Sequence, residues 1–114
     1  MEQRYIDSLT EICGKANVFY EMADIERYLY DETEEYVRPK ACEDCIVVRP
    51  GTYEEVSEIL KWANQELVPI IPRGGGTGAC GAAIPTEPSV IMSMERFRKI
   101  VEVDETNMMI TCQT

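Results

Sequence analysis

The stretch from Val68 to Pro85 carries five of the chain's seven glycines, directly after a short run rich in β-branched residues. Glycine has no Cβ and tolerates positive φ, so successive backbone N–H groups in such a loop can turn toward one anion. The run over 69–73 has the length and composition of a short buried strand. The pattern therefore predicts a strand that leads into a phosphate-binding loop.

Two familiar phosphate loops fit this segment poorly. Residues 76–81 match G-x-G-x-x-G, but in the nicotinamide and flavin Rossmann pattern the third glycine opens a long helix. Pro85 and Pro88 follow too soon for such a helix to form. No Gly-Lys-Ser/Thr follows either, which excludes a Walker A loop. We expect this loop to hold its anion by backbone N–H groups alone.

The best-marked helix is predicted over 52–67. Thr52 and Glu55 have the spacing of a capping box, in which each side chain bonds a free amide of the first turn. One apolar stripe runs along the segment and requires a sheet to cover, and it comprises Val56, Ile59, Leu60, Ala63 and Leu67.

Strands at 45–49 and 69–73 flank this helix and predict a right-handed βαβ unit with parallel strands. A third strand is predicted at 90–94, and a hairpin over 100–104 and 108–112. The fold class is therefore α/β (α+β): a small, mainly parallel sheet with N-terminal helices and a C-terminal hairpin. We divide the chain into an N-terminal helical segment, 1–40, and a sheet-forming subdomain, 41–114.

The net charge of −10 argues against two classes of partner. Residues 1–36 alone hold ten Asp and Glu against three Lys and Arg. Without a basic stripe, nucleic acid and anionic membrane surfaces have no electrostatic support. The start of the chain lacks a signal peptide, and no apolar run is long enough for a membrane span, so we expect a cytoplasmic protein.

The five cysteines form an odd set, which favours free thiols over a disulfide framework. Cys42 and Cys45 have the spacing of a redox pair or of half a zinc site. No histidine and no second such pair completes a metal site, so we assign no metal ligand and interpret both thiols as inert.

A family resemblance sharpens the interpretation of the glycine loop. The segments 72–85, 91–97 and 100–104, with the strand, proline and helix entry at 48–56, resemble FAD-linked oxidases of the vanillyl-alcohol oxidase and p-cresol methylhydroxylase (PCMH) type. Within this family, the chain most resembles the flavoprotein subunits of glycolate oxidase and D-lactate dehydrogenase. Tyr28 to Asp31 is similar to an upstream Tyr/Asp segment of that family. The resemblance implies the N-terminal half of a PCMH-type FAD-binding domain.

The resemblance also implies which residues wrap the FAD diphosphate. We expect them to be Pro72, Arg73, Gly74, Gly75, Gly76, Thr77, Gly78, Gly81 and Ala82. For Arg73, a solvated or ion-paired guanidinium is an equally good interpretation. Some relatives attach flavin to a histidine in this loop, whereas this chain has no histidine, so we expect non-covalent FAD.

The implied function is the FAD-binding portion of an oxidoreductase that oxidises a 2-hydroxy acid such as glycolate or D-lactate, with a possible electron-acceptor subunit. The family's domain extends beyond residue 114, so we expect a fragment of a longer protein. Alone, it should be inactive and form homo-oligomers, and we expect no catalytic residue among these 114. Two alternatives remain: the FAD subunit of a molybdenum-hydroxylase-type enzyme, and a non-enzymatic nucleotide-binding or interaction module.

Overall fold

The computed structural model describes residues 1–113. Three α-helices are present in this range: α1 (Gln3–Cys13), α2 (Met22–Ile25) and α3 (Tyr53–Glu66). Short 3₁₀ turns occupy Lys15–Asn17 and Glu26–Tyr28. The strands are β1 (Val18–Phe19), β2 (Cys45–Val48), β3 (Ile70–Arg73), β4 (Ser89–Ser93), β5 (Ile100–Asp104) and β6 (Met109–Cys112). No helix among these residues is both long enough and apolar enough to span a bilayer.

The main sheet has the strand order β1-β2-β4-β3, and its three longer strands run parallel. Strand β4 lies in the middle: Ile91 pairs with Val47 on one side and with Ile71 on the other. This confirms the mainly parallel sheet, although β2 and β3 flank β4 and do not pair with each other. Strand β1 adds an antiparallel edge that the sequence did not indicate, because two residues are too few for an alternating pattern.

The two central strands, β2 and β4, are buried on both faces, as their continuous apolar runs require. Successive side chains point to opposite faces, so neighbouring strand residues enter two different cores. On one face, helices α1 and α3 cover the sheet, with a core of Leu9, Cys13, Val18, Ile46, Val48, Ile59, Val90 and Met92. On the other face there is no long helix among residues 1–113; the cover is the segment after α2 and the end of the glycine loop, with a core of Ile25, Tyr28, Leu29, Ala41, Cys45, Val47, Ile84 and Ile91.

Helix α3 begins at the predicted N-cap, Thr52, but the reciprocal bond of the capping box goes to Gly51 and not to Thr52, and the helix ends one residue earlier than expected. The backbone N–H of Glu55 donates to the Thr52 hydroxyl at 3.2 Å, and the Glu55 carboxylate accepts from the backbone N–H of Gly51 at 2.6 Å. The prediction that Leu60 and Leu67 belong to the buried stripe is wrong, since they are 46% and 86% exposed. Leu67 adopts the left-handed conformation, with φ 55°, which turns the chain away from the helix and its side chain into solvent.

The predicted hairpin is present as a separate two-stranded sheet, β5 with β6. Asp104 fixes its turn: Asn107 donates from its backbone N–H to Oδ1 at 3.0 Å and from its side chain to Oδ2 at 2.7 Å. These bonds, the side-chain bond above all, lower the pKa of Asp104. Unlike the main sheet, the hairpin exposes its large apolar residues, which are Ile100, Val101, Val103, Met108, Met109 and Ile110.

Candidate cofactor site at the carboxyl ends of the parallel strands

The glycine loop, defined here as residues 74–83, leaves the sheet at the carboxyl end of β3. The carboxyl end of the neighbouring parallel strand β4 meets it there, the position at which open α/β sheets bind ligands. A hollow of about 250 Å³ opens at this edge, lined by Arg27, Tyr28, Arg73, Gly74, Gly75, Ser93 and Glu95. The first two glycines of the loop therefore face a space that a ligand can enter.

The glycines of this loop fall into two groups: in one the backbone conformation favours glycine, and in the other it does not. Gly76 and Gly81 have φ of 70° and 74°, which side chains rarely adopt. Gly74, Gly75 and Gly78 do not have such φ values. Among residues 1–113, a Cβ on Gly74 would meet no atom within 4 Å, and one on Gly75 or Gly78 would make only ordinary contacts, at 3.7 Å or more. The fold does not require glycine at these three positions, so a molecule outside this part of the chain is the better reason for it.

The backbone of the loop is available to such a molecule. Gly74, Gly75, Thr77 and Gly78 are exposed, and in the described part of the chain their N–H groups donate to no backbone carbonyl. Within that part, no helix follows the loop, since the next element is strand β4. These observations fit an anion held by backbone N–H groups without a helix dipole.

Arg73 lies beneath the loop, and its guanidinium donates hydrogen bonds to the backbone of the protein. It donates to the backbone carbonyls of Tyr28 at 3.3 Å, Arg27 at 3.4 Å and Tyr30 at 3.0 Å. The planar fork of donors on arginine suits several acceptors at once. These bonds connect the end of β3 to the segment 27–30. Arg73 as a whole is only 9% exposed.

A cluster of charged and tyrosine side chains lies at the same edge of the sheet, and the sequence did not predict that these side chains contact one another. The Tyr28 hydroxyl contacts the Glu95 carboxylate at 3.2 and 3.3 Å, and Arg49 donates to the same carboxylate at 2.9 Å. Arg27 in turn donates to the Tyr28 hydroxyl at 2.6 Å. These residues are up to 68 positions apart in sequence, and none forms a motif with another, so only the folded chain brings them together.

The cysteines of the 42–45 pair lie away from this edge. The Cys45 thiol is buried and donates to the backbone carbonyl of Cys42 at 3.2 Å, with the Ser89 hydroxyl 3.7 Å away. Burial raises the pKa of Cys45, which keeps it a thiol at neutral pH. Cys80, within the glycine loop, is exposed.

Comparison with known sequences settles the family. The sequence model of the family described as "FAD binding domain" matches residues 45–114, which include the whole glycine loop. The chain belongs to this family. Its cofactor is FAD, and the resemblance to PCMH-type flavoproteins is confirmed.

Two curated relatives and one solved structure place this FAD-binding domain more closely. D-lactate dehydrogenase of Archaeoglobus fulgidus is 45% identical over 76% of this chain, and glycolate oxidase subunit GlcD of Bacillus subtilis is 33% identical over 94%. A crystal structure of p-cresol methylhydroxylase superposes on 89% of the chain with a TM-score of 0.72 and 22% identity, which confirms the fold class. The chain spans 19 to 22% of the length of these proteins.

The residues present fit the diphosphate of FAD. An anion needs accessible donors that the protein does not already use, space for its oxygens and no acidic residue among those that hold it. Gly74, Gly75, Thr77 and Gly78 are exposed and donate to no backbone carbonyl within residues 1–113, the space beside Gly74 is open, and 74–78 contains no acidic residue.

Proposed function

We propose that this chain provides the diphosphate-holding part of the FAD site in a flavin-dependent oxidoreductase that oxidises a 2-hydroxy acid such as glycolate or D-lactate. The observation that carries the proposal is the group of glycines, Gly74, Gly75 and Gly78, that the fold itself does not require. The names of the two curated relatives support the substrate class.

We assign the roles within the site as follows. Gly74, Gly75, Thr77 and Gly78 present backbone N–H groups to the diphosphate. Gly76 provides the left-handed turn that lets these groups converge. Pro72 and Arg73 form the strand end beneath the loop, and Arg73 acts from there through its bonds to carbonyls rather than from the surface.

Gly81 and Ala82 close the loop on its far side. Gly81 has φ of 74°, and its carbonyl accepts the backbone N–H of Ile84 at 3.1 Å, which turns the chain back into the sheet. Ile84 is only 3% exposed and anchors this turn in the second core. The loop is therefore fixed at both ends, by Arg73 and by Ile84.

The residues of this chain would hold an FAD whose flavin ring would supply the hydride-accepting group. The residues of this chain orient the cofactor and do not supply the base that takes the hydroxyl proton. Since orientation alone can lower a barrier by about 7–11 kcal/mol, a loop that only holds the diphosphate is a substantial part of such an enzyme. We assign no covalent link to the flavin.

The first test is FAD binding by the protein expressed from its complete reading frame. Gly75→Val should weaken FAD binding by about a hundredfold, equivalent to about 2.7 kcal/mol, because the added side chain fills the space for the phosphate oxygens. Its apo-protein should unfold at the same temperature as wild type. Thr86→Val, an exposed position in the same connection, is the matched control and should bind FAD normally. Unchanged FAD affinity in Gly75→Val would remove the loop from the site.

The second test is the reaction. With an artificial dye as electron acceptor, the FAD-loaded protein should be reduced by D-lactate or glycolate and not by a simple alcohol such as ethanol. FAD binding without turnover on any 2-hydroxy acid would favour the FAD subunit of a molybdenum-hydroxylase-type enzyme. Failure of the wild type to bind FAD would favour a non-enzymatic nucleotide-binding or interaction module.

A further inference from the structure

Two buried polar residues lie directly behind the glycine loop. Asp31 and Thr33 are only 9% and 8% exposed, and the backbone N–H of Thr33 donates to Asp31 Oδ1 at 3.0 Å. A Cβ on Gly78 would lie 4.0 Å from Asp31 Oδ2, and a Cβ on Gly81 would lie 4.0 Å from Thr33 Oγ1. Both side chains therefore face the second half of the loop from inside the protein.

Each of these residues carries a buried oxygen without a partner. Within residues 1–113, neither Asp31 Oδ2 nor Thr33 Oγ1 has a neighbour in hydrogen-bond geometry. A buried polar atom left in this way is unfavourable, more so when it is charged, and native proteins keep few of them. An unpaired carboxylate oxygen at this depth therefore requires a reason.

The charge of Asp31 excludes direct attraction of the cofactor as the reason. The Thr33 hydroxyl, and next the backbone amides of Thr33 and Ala83, lie near this carboxylate and lower the pKa of Asp31, so the group is a carboxylate at neutral pH. Of these three groups, only the Thr33 amide donates to it in hydrogen-bond geometry. A carboxylate behind an anion-binding loop opposes the charge of a diphosphate. The group does not attract the cofactor, but it is a strong acceptor for backbone N–H groups of the loop.

The chain around Asp31 is bound to the loop on one side and to the end of strand β3 on the other. The backbone N–H of Glu32 donates to the carbonyl of Gly78 at 3.0 Å. Arg73 donates to the carbonyl of Tyr30 at 3.0 Å, directly before Asp31. The carboxylate is thus held at a fixed place relative to Gly78, with the amide of Ala83 beside it.

We propose that Asp31 is a positioning residue for the cofactor: its free Oδ2 accepts a backbone N–H from the Gly78–Ala83 stretch when FAD is bound, and this fixes the loop in its binding shape. The inference rests on the proposed function, because it assigns Asp31 to the site that holds the diphosphate. Thr33 supports it by holding Oδ1 and by placing its hydroxyl next to the carboxylate.

The test compares FAD affinity among matched variants of the protein expressed from its complete reading frame. Asp31→Ala should weaken FAD binding by about ten- to a hundredfold, which corresponds to one hydrogen bond to a charged group. Asp31→Asn keeps the shape and one acceptor oxygen, so it should recover part of the affinity. Glu32→Gln removes the same charge from the adjacent, exposed side chain and should bind FAD as wild type does.

Two further measurements separate positioning from a general loss of stability. Ile59→Val, in the core on the opposite face of the sheet, should lower the unfolding temperature and leave FAD affinity unchanged. Hydrogen exchange of the loop in the FAD complex should be faster in Asp31→Asn than in wild type, while exchange in helix α3 stays the same.

The outcomes distinguish this inference from the proposed function. Wild type that binds no FAD overturns the proposed function. Wild type that binds FAD, with Asp31→Asn and Asp31→Ala equal to it in affinity, overturns the role of Asp31 alone. If Asp31→Ala does not fold, the comparison of Asp31→Asn with Glu32→Gln decides: equal affinities refute the inference, and a loss confined to Asp31→Asn with faster loop exchange supports it.

Discussion

The guanidinium of Arg73 fills the space that a side chain at Gly76 would need. A Cβ on Gly76 would lie 2.2 Å from Arg73 Nη2 and 2.5 Å from Cζ. Gly76 also has φ of 70°, which favours glycine, and a side chain there would have to displace a guanidinium that three hydrogen bonds hold in place. From the sequence, contact with the phosphate and a solvated or ion-paired guanidinium are equally good interpretations of Arg73. In the fold this guanidinium donates to three backbone carbonyls beneath the loop.

We predict that Gly76→Ala destabilises the protein and Gly74→Ala does not. At Gly76 the new methyl group needs a strained φ and must displace Arg73, which should cost about 1–3 kcal/mol. At Gly74 no atom of residues 1–113 lies within 4 Å of the new Cβ. Urea denaturation of both variants measures the difference. Equal stabilities would contradict the contact between Gly76 and Arg73.

Much of the fold could be predicted because its signals are local. Capping by Thr52 and the apolar runs at Cys45–Val48 and Ser89–Ser93 place their elements within about one residue. The position of β4 between β2 and β3 could not be read from the chain, because strand order depends on which faces pack together and not on neighbouring residues. The exposure of Leu67 was missed for a related reason, since the helical spacing does not show that the chain turns away one residue earlier.

In the candidate site, too, the contiguous part could be predicted from the sequence and the long-range contacts could not. The glycine loop is a contiguous motif, and its placement at the carboxyl end of β3 follows from the strand before it. The contacts between Tyr28 and Glu95, and between Asp31 and the loop, join segments that are distant in sequence. No spacing rule predicts them. The Arg73 side chain points beneath the loop because it bonds carbonyls of residues 27–30, and only the folded chain brings these carbonyls near.

We predict that Leu67→Gly stabilises the protein by about 0.5–1 kcal/mol. Leu67 holds a left-handed conformation at the end of α3, and its side chain is 86% exposed, so glycine removes strain and loses little packing. Leu60→Gly, inside the same helix, is the control and should destabilise the protein by about 1 kcal/mol. Thermal unfolding of the two variants should therefore shift in opposite directions.

We predict a loss of stability at alkaline pH that depends on Cys13. Burial, and next the charge of Glu55, raise the pKa of Cys13 from 9.0 to about 11. Above pH 9 the unfolded chain releases this proton while the folded chain retains it, so the free energy of unfolding falls as the pH rises from about 9 to about 11. Cys13→Ala should show a smaller fall over this range than Cys80→Ala, whose thiol is exposed. Identical pH profiles would contradict the assignment.

We predict that the bound flavin is released intact by acid precipitation. The chain contains no histidine, so the histidyl link found in some relatives is not available within these 114 residues. All of the flavin absorbance should appear in the supernatant. Yellow colour in the denatured pellet would show a covalent bond, and its loss in Cys80→Ala would then identify the exposed cysteine of the loop as the attachment site.

The final prediction concerns the 114-residue chain expressed alone, which should associate through its hairpin. Within residues 1–113, strands β5 and β6 form a sheet of two strands, so each has an unpaired edge there. Val103 and Ile110 lie opposite each other and are 58% and 64% exposed. Exposed apolar strands with free edges pair readily with other chains. Replacing this pair by Val103→Glu with Ile110→Lys places opposite charges across the strands, which keeps the hairpin and makes its surface polar.

Light scattering at high protein concentration should therefore find dimers or larger species for the wild-type chain and a monomer for the double variant. Circular dichroism should show the same secondary structure in both, because the helices and the main sheet do not depend on these two side chains. A wild-type chain that stays a monodisperse 13.0 kDa species would contradict the prediction. Association that persists in the double variant would instead assign the contact to another surface.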